Sequence, residues 1–277
     1  MSVLVLGAAG TVGSALAARS GCVGLVRSAL DIRDDEAVEE VLDRISPLSV
    51  INCAAMAAVD RCDREPEGAW QVNAEAPGRV AAACSVRGIR FLHLSTDYAL
   101  TGPERPGVRL DEDHPADPRS TYARSKRAGE IACLAHGATV VRVQWVYGVE
   151  GTSFFARALR TLAAGGRVRL VTDQVGVPTE VSWLAERLMD AARSGPTGLF
   201  HLAPDGEASA FTWITTAARA LGISTQHAER IRRSGLPGAF RPARSCLDSR
   251  RFQRTWPATW PTWQAAMEAA LPTGGVP

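Results

Sequence analysis

The sequence predicts an α/β fold, a doubly wound parallel sheet of the Rossmann type with a smaller C-terminal substrate lobe. Two observations predict it. A short apolar run at positions 2–6 leads straight into Gly7-x-x-Gly10-x-x-Gly13 and then a helical segment. Beyond it, short apolar runs alternate with helical patterns as far as position 150, which is the pattern of parallel β-α-β units.

Each element has its own signal. The run 2–6 is a strand, and 14–19 reads as the helix that follows the glycine turn. Positions 22–26 form a second strand. Positions 34–45 form a helix with Glu36, Glu39 and Glu40 on its wet side. The run 49–53 is a third strand, and 66–86 reads as helical with an interruption near Pro77. A fourth strand is expected at 91–95. A loop rich in Pro, Gly and charge at 101–121 precedes the helix that carries Tyr122, and a fifth strand spans 139–147. The pattern loosens after Gly151. Helices are expected at 154–163, 181–192, 211–221 and 261–271, strands at 168–172 and 199–202, and a Pro- and Arg-rich loop at 236–242. Residues 1–150, with 173–200 returning to them, should form the cofactor domain, and 151–172 with 201–277 the substrate lobe.

A chain of 277 residues can bury a full core. Its 46% hydrophobic and 22% charged residues are ordinary for a globular protein. The net charge of +2 gives no argument for nucleic acid. Between Thr225 and Thr255, however, eight arginines stand against Glu229 and Asp248, so this stretch is either a site for a phosphorylated small molecule or a solvated basic surface. The six cysteines form no C-x-x-C pair and the five histidines no ligand spacing, so neither a metal site nor a disulfide framework is expected. No leader pattern and no apolar run of transmembrane length is present, which predicts a cytoplasmic protein without a membrane partner, monomeric or homodimeric.

The glycine turn fits a dinucleotide. Gly7 permits the tight turn, Gly10 lets backbone N–H groups approach a pyrophosphate, and Gly13 lets the helix pack on the sheet. Thr11 and Val12, at the start of that helix, would share its orphan donors and positive dipole end with the ligand. After the second strand, where an acidic residue often bonds a ribose 2′-hydroxyl, stands Arg27. Arginine suits a 2′-phosphate, so NADPH is the expected cofactor. Asp31 could accept from the adenine or ribose and leaves NADH possible.

Lys126 is the chain's only lysine among 31 basic residues. A composition so biased toward arginine would replace any lysine that arginine could replace. It stands four residues after Tyr122, on the same helix face. A compact ammonium can approach both a phenol and a ribose hydroxyl, whereas a planar fork fits neither role as well. A nearby cation lowers a phenol pKa from about 10. Thr96, at the end of the fourth strand, is placed to bond a carbonyl oxygen. A polarised carbonyl, a proton donor and a nicotinamide together describe ketone reduction.

These residues resemble the extended short-chain dehydrogenase/reductases. Asn52-Cys-Ala-Ala55, Val59-Asp60, Glu65-Pro66, Val72-Asn73-Ala74, Ser95-Thr-Asp-Tyr98, Tyr122-x-Arg-Ser-Lys126-x-x-Gly129-Glu130, Trp145-Val-Tyr147-Gly148, Asp173-Gln174-x-Gly176-x-Pro178-Thr179 and Arg241-Pro242 narrow the resemblance to the dTDP-4-dehydrorhamnose reductase family. The resemblance implies a catalytic triad of Thr96, Tyr122 and Lys126. It implies that Asp31 and Ile32 flank the adenine and that Ala54 and Ala55 line the cofactor cleft. Met56, Tyr98, Trp145 and Arg241, with Thr96, would face a nucleotide-linked sugar, and Asp173–Thr179 would return the chain to the cofactor domain. The chain departs from the family at Met56, Leu100, Gln144 and Ser120; the expectation is that these sit around the sugar. Rival readings are a sugar-nucleotide epimerase, a dehydratase with Asp97 as its only extra acid, and a non-catalytic regulatory subunit like that of methionine adenosyltransferase.

Other features have plainer readings. Trp256, Trp260 and Trp263 should pack under a closing helix. The run Asp111-Glu-Asp113-His114 should be a solvated surface, and His93 and His201 hydrogen-bonded core residues.

Overall fold

The computed structural model describes residues 2–102, 105–151, 153–235 and 237–272. The elements are β1 (Val3–Leu6), α1 (Thr11–Ala17), β2 (Cys22–Leu25), α2 (Asp35–Ile45), β3 (Ser49–Asn52), α3 (Val59–Arg64), α4 (Pro66–Trp70), α5 (Ala76–Val86), β4 (Arg90–Thr96), α6 (Thr121–Leu134), β5 (Thr139–Val143) and β6 (Val146–Tyr147). Then follow α7 (Phe154–Ala163), β7 (Val168–Val171), β8 (Val175–Gly176), β9 (Thr179–Glu180), α8 (Val181–Arg193), β10 (Gly198–His201), β11 (Ala208–Ser209), α9 (Ala210–Ala220), β12 (Ala228–Ile231), α10 (Arg250–Thr255) and α11 (Trp263–Ala270).

Six of these strands form one parallel sheet in the order β10-β5-β4-β3-β1-β2. The order reverses between β1 and β3, and ligands of open α/β sheets bind at such a switch point, outside the carboxyl ends of the strands. Both sheet faces are buried, as parallel sheets require. The two-residue period shows in β1: Val3 and Val5 join Leu16 of α1 and Leu184 and Leu188 of α8 on one face. Leu4 and Leu6 join Val38, Val41 and Leu42 of α2 and Val80 of α5 on the other. A third core lies outside the sheet. It gathers Tyr147, Phe155, Leu159, Trp213, Ile214 and Trp263 from the second half of the chain.

The structure differs from the sequence reading in several places. Helix α3 was not foreseen; neither were β12, which pairs in parallel with β7, and α10. The expected fifth strand is two strands, because Trp145 turns out of the sheet with φ +43°. The interruption near Pro77 is a π-helical turn, Gln71–Glu75. Proline has no N–H for the carbonyl four residues back. That carbonyl, of Asn73, lies where a β-carbon on Gly129 would sit 2.1 Å away, so α6 packs directly on the turn. Of the expected loops 101–121 and 236–242, residues 103, 104 and 236 lie outside the described residues.

Half of the eight arginines between 225 and 255 are held by carboxylates. Arg241 pairs with Asp60, Arg244 with Glu207, Arg250 with Asp248 and Arg251 with Asp113. Arg230 lies over the Phe211 ring. The acidic run is likewise not all solvated. Glu112 is buried, accepts from the His201 backbone N–H at 2.9 Å and pairs with Arg251. His93 and His201 are fully buried and bonded. Trp256 packs on Phe200 and Phe252, and Trp260 on Trp183. All six cysteines are free thiols. No helix among the described residues is long and apolar enough to cross a membrane.

Candidate active site

The glycine turn is shaped by contacts that exclude side chains. Gly7 has φ +78°, and a β-carbon there would lie 2.6 Å from the Ala54 backbone nitrogen. On Gly13 it would lie 2.2 Å from the Gly7 carbonyl oxygen. Gly10 differs: its nearest neighbour would be the Gly7 carbonyl at 3.5 Å, so no protein contact demands glycine. A residue left bare for a ligand's close approach fits that position. Beside the turn lies a cleft of about 230 Å³ lined by Gly7, Gly10, Arg27, Asp31, Ile32, Ala54, Ala55 and Met56, among others. Thr11 is exposed at the α1 terminus, and Val12 packs its side chain against the core beneath it.

The acidic and basic residues of this cleft are arranged differently from expectation. Asp31 is already engaged by two arginines. Arg33 grips both its oxygens, at 2.9 and 2.6 Å, and Arg27 approaches at 3.3 Å. The Arg33 hydrogen bonds hold the Asp31 carboxyl well below the usual range. Two guanidiniums therefore flank one neutralised carboxylate. The sequence pattern singles out Arg27, shortly after β2, and not Arg33. A bidentate partner two residues on from Asp31 was the available signal.

Of the expected triad, Thr96 and Tyr122 meet, and Lys126 is engaged elsewhere. Thr96 ends β4, accepts from the Tyr98 N–H at 3.2 Å and lies 3.3 Å from Asp97. Tyr98 and Tyr122 meet edge to face, with ring centroids 6.0 Å apart. Helix α6 begins under Ser120, whose hydroxyl accepts from the Ala123 N–H. Ser120 is thus a cap, not a sugar contact. Burial pushes the Tyr122 phenol well up, and its bond with Thr96 pulls it partly back. Lys126 is engaged elsewhere in the free chain. The buried Nζ is drawn the other way, to the Leu94 carbonyl at 2.6 Å and His93 Nε2 at 3.1 Å.

The residues expected to face the sugar come from distant segments. Arg241 donates to Asp60 Oδ2 at 2.8 Å, and Asp60 Oδ1 accepts from the Ala239 N–H at 2.8 Å. These bonds tie the 237–242 loop to α3. Burial raises the Tyr98 phenol to about 12; Arg241 and a bond with Gln174 lower it, Asp60 raises it, and all three face it. Burial likewise raises Asp97 to about 7, although its bonds with Ser245 and Thr96 oppose this. Asp60, Gln174, Asp97 and Ser245 were not singled out as site residues. Trp145 packs on Trp213 and closely over Gly176. Leu100 is fully buried in the third core and does not border a sugar. Gln144 is buried too.

With this geometry in view, the comparisons are decisive. A family model described as RmlD substrate binding domain matches residues 1–274. The dTDP-4-dehydrorhamnose reductase of Streptomyces griseus is 36% identical, with 97% of this chain and 92% of that protein covered. The chain belongs to the dTDP-4-dehydrorhamnose reductase family. Another family relative, the dTDP-4-keto-6-deoxy-D-glucose reductase of Streptomyces niveus, is 32% identical over 97% of this chain and 96% of its own. The solved dTDP-4-dehydrorhamnose reductase of Bacillus anthracis, in complex with NADP, superposes with a TM-score of 0.91 at 26% identity. It covers 97% of this chain and 98% of that one.

Proposed function

We propose that this protein is an NADPH-dependent ketoreductase that converts the C4 ketone of a dTDP-linked 4-keto-6-deoxyhexose to the alcohol. The observation that carries the reading is the bond between Thr96 and Tyr122 at the carboxyl end of β4, with Lys126 one turn further along α6, within the fold that also builds the Gly7–Gly13 cleft. Arg27 and Arg33 suit a 2′-phosphate, and the family relatives act on sugars of this class by name.

Gly7, Gly10 and Gly13, with Ala54 and Ala55, would hold the dinucleotide, and the bound cofactor supplies the hydride. The chain's residues manage the proton. A phenol raised by burial stays protonated at neutrality, which is the state a donor to a developing alkoxide needs. Thr96 orients the carbonyl oxygen from the strand end. Tyr98, Met56, Trp145 and Arg241 would border the sugar nucleotide, with Asp60 and Gln174 fixing Arg241 and Tyr98. On this reading residues 1–150 and 173–200 hold the cofactor, and 151–172 with 201–277 hold the sugar. Most of the third core comes from 151–172 and 201–277, which supports that division, while Leu100, Leu110, Tyr147 and Val177 join it from the other segments and Phe252 and Trp256 reach back to the sheet. The enzyme works in the cytoplasm, as a monomer or homodimer.

The test is turnover of a panel of dTDP-4-keto-6-deoxyhexoses with NADPH, with products identified by NMR. Tight NADPH binding without turnover of any member would overturn the enzymatic reading in favour of a regulatory subunit.

A further inference from the structure

Behind Lys126 runs a buried chain of side chains that the reaction itself does not call on. Asn52 ends β3, His93 lies in the middle of β4, and both are fully buried. The Ala54 backbone N–H donates to Asn52 Oδ1 at 3.0 Å. Asn52 Nδ2 lies 3.1 Å from His93 Nδ1, and His93 Nε2 lies 3.1 Å from Lys126 Nζ. Lys126 Nζ also donates to the Leu94 carbonyl at 2.6 Å.

The directions of these bonds follow from valence. A backbone N–H can only donate, so the Asn52 atom facing Ala54 is its oxygen. The atom facing His93 is then the amide nitrogen, which also only donates. His93 Nδ1 must therefore accept. A neutral imidazole carries one proton, so it sits on Nε2 and points at Lys126. An ammonium has three donors and no lone pair; only the amine can accept that proton. Protonating Lys126 sets two donors against each other. Relieving that would need the opposite His93 tautomer, then a flipped Asn52 amide, and finally an unpaired Ala54 N–H in the wall of the cofactor cleft.

We infer that Asn52 and His93 are positioning residues that favour the amine form of Lys126 through a fixed imidazole tautomer. The other surroundings leave room for that control. The titratable groups facing Lys126 are His93 on β4, Cys53 beyond β3, and Glu130 and Cys133 on its own helix, with Tyr122 one turn earlier. Glu130 is occupied by Arg142, Arg127 and Ser95, and burial raises both thiols to about 12. Burial itself lowers Lys126 to about 8, in the same direction as the chain.

The consequence for turnover rests on the proposed reductase reading. Once the Tyr122 phenol has given its proton to the substrate oxygen, the phenolate must regain one. Lys126 as ammonium can supply it and become the amine, and the amine is the form that the His93 N–H welcomes. The chain makes Lys126 a stronger acid.

The single lysine makes the test unusually clean, since lysine labelled at Cε gives one side-chain signal per chain. In the free protein we expect Lys126 to titrate at least two pH units below the ordinary value of about 10.4. Histidine ¹⁵N spectra should show His93 as the Nε2–H tautomer. Asn52→Asp gives His93 Nδ1 an acceptor and turns the tautomer round, and should raise the Lys126 midpoint by one unit or more. His93→Leu removes the donor without adding charge and should also raise it. An ordinary wild-type midpoint, an Nδ1–H tautomer, or a midpoint that His93→Leu leaves unchanged or lowers would each overturn the inference. In turnover, the alkaline limb of kcat/KM should move up with the midpoint; a purely structural role would lower the rate without moving the limb. The titration needs no substrate, so its failure is distinguishable from failure of the reductase assignment.

Discussion

The two sides of the cleft are made of different materials. The cofactor side is backbone. Gly7 and Gly13 are packed against the Ala54 nitrogen and the Gly7 carbonyl so closely that a single β-carbon cannot enter. The substrate side is side chain on side chain: Asp60 to Arg241, Gln174 to Tyr98, Asp97 to Ser245, joining residues up to 181 positions apart. A backbone site is specified by local sequence and tolerates no change at Gly7 or Gly13. A side-chain site can be retuned pair by pair without disturbing the sheet. One family can therefore keep its cofactor and vary its sugar.

The largest expected effect belongs to neither wall but to the atoms between them. Tyr122→Phe removes only the proton donor and should cost turnover on the order of 10²–10⁴-fold. Calorimetry should find NADPH affinity nearly intact, and substantial residual turnover would remove Tyr122 from its role. Next comes the backbone wall. Gly13→Ala should destabilise by about 3 kcal/mol or more, because the clash is with main chain. Thermal unfolding with and without NADPH checks this. A near wild-type melting temperature with intact cofactor binding would break the contrast.

The side-chain wall should respond more gently and only for the sugar. Asp60→Asn weakens the hold on Arg241, and we expect a rise in substrate KM of about 1–3 kcal/mol with NADPH affinity unchanged. Equal losses for both ligands would show that the walls are not independent. Arg33→Ala sharpens the point within the cofactor site. It removes one cation from the expected 2′-phosphate position and frees Asp31 for a ribose hydroxyl, so affinity should shift from NADPH toward NADH by about 1.5–3 kcal/mol. Arg27→Ala should act in the same sense but less, since that side chain is 69% exposed. The smallest effect is Ser120→Asn, an exchange of one good cap for another. It should change stability by less than about 0.5 kcal/mol, whereas Ser120→Ala should cost about 1.

The same contrast explains what the sequence disclosed. The glycine turn, the sheet strands and the Tyr122–Lys126 spacing are local patterns, and the elements they predict are present within a few residues. Helix α3 was missed because its six residues offer no full amphipathic period. Strand β12 was missed because its partner β7 lies some 60 residues back in the chain. Arg33 was passed over for a similar reason: Asp31 looks like a lone acidic residue until its neighbour is seen folded onto it. Leu100 stands two residues after Tyr98, yet it turns into the third core, a direction no spacing rule gives.

The buried lysine has a consequence for the protein's outer chemistry. Lys126 is 2% exposed, and every other side-chain cation above neutrality is a guanidinium. The folded surface therefore carries no ε-amine. Reagents, cross-linkers and modifying enzymes that attack primary amines find no side chain on it to modify. An acyl group on Lys126 would have to enter through the cleft or during unfolding. Amine acylation is thus a natural reporter of opening in this molecule, and bound cofactor should silence it.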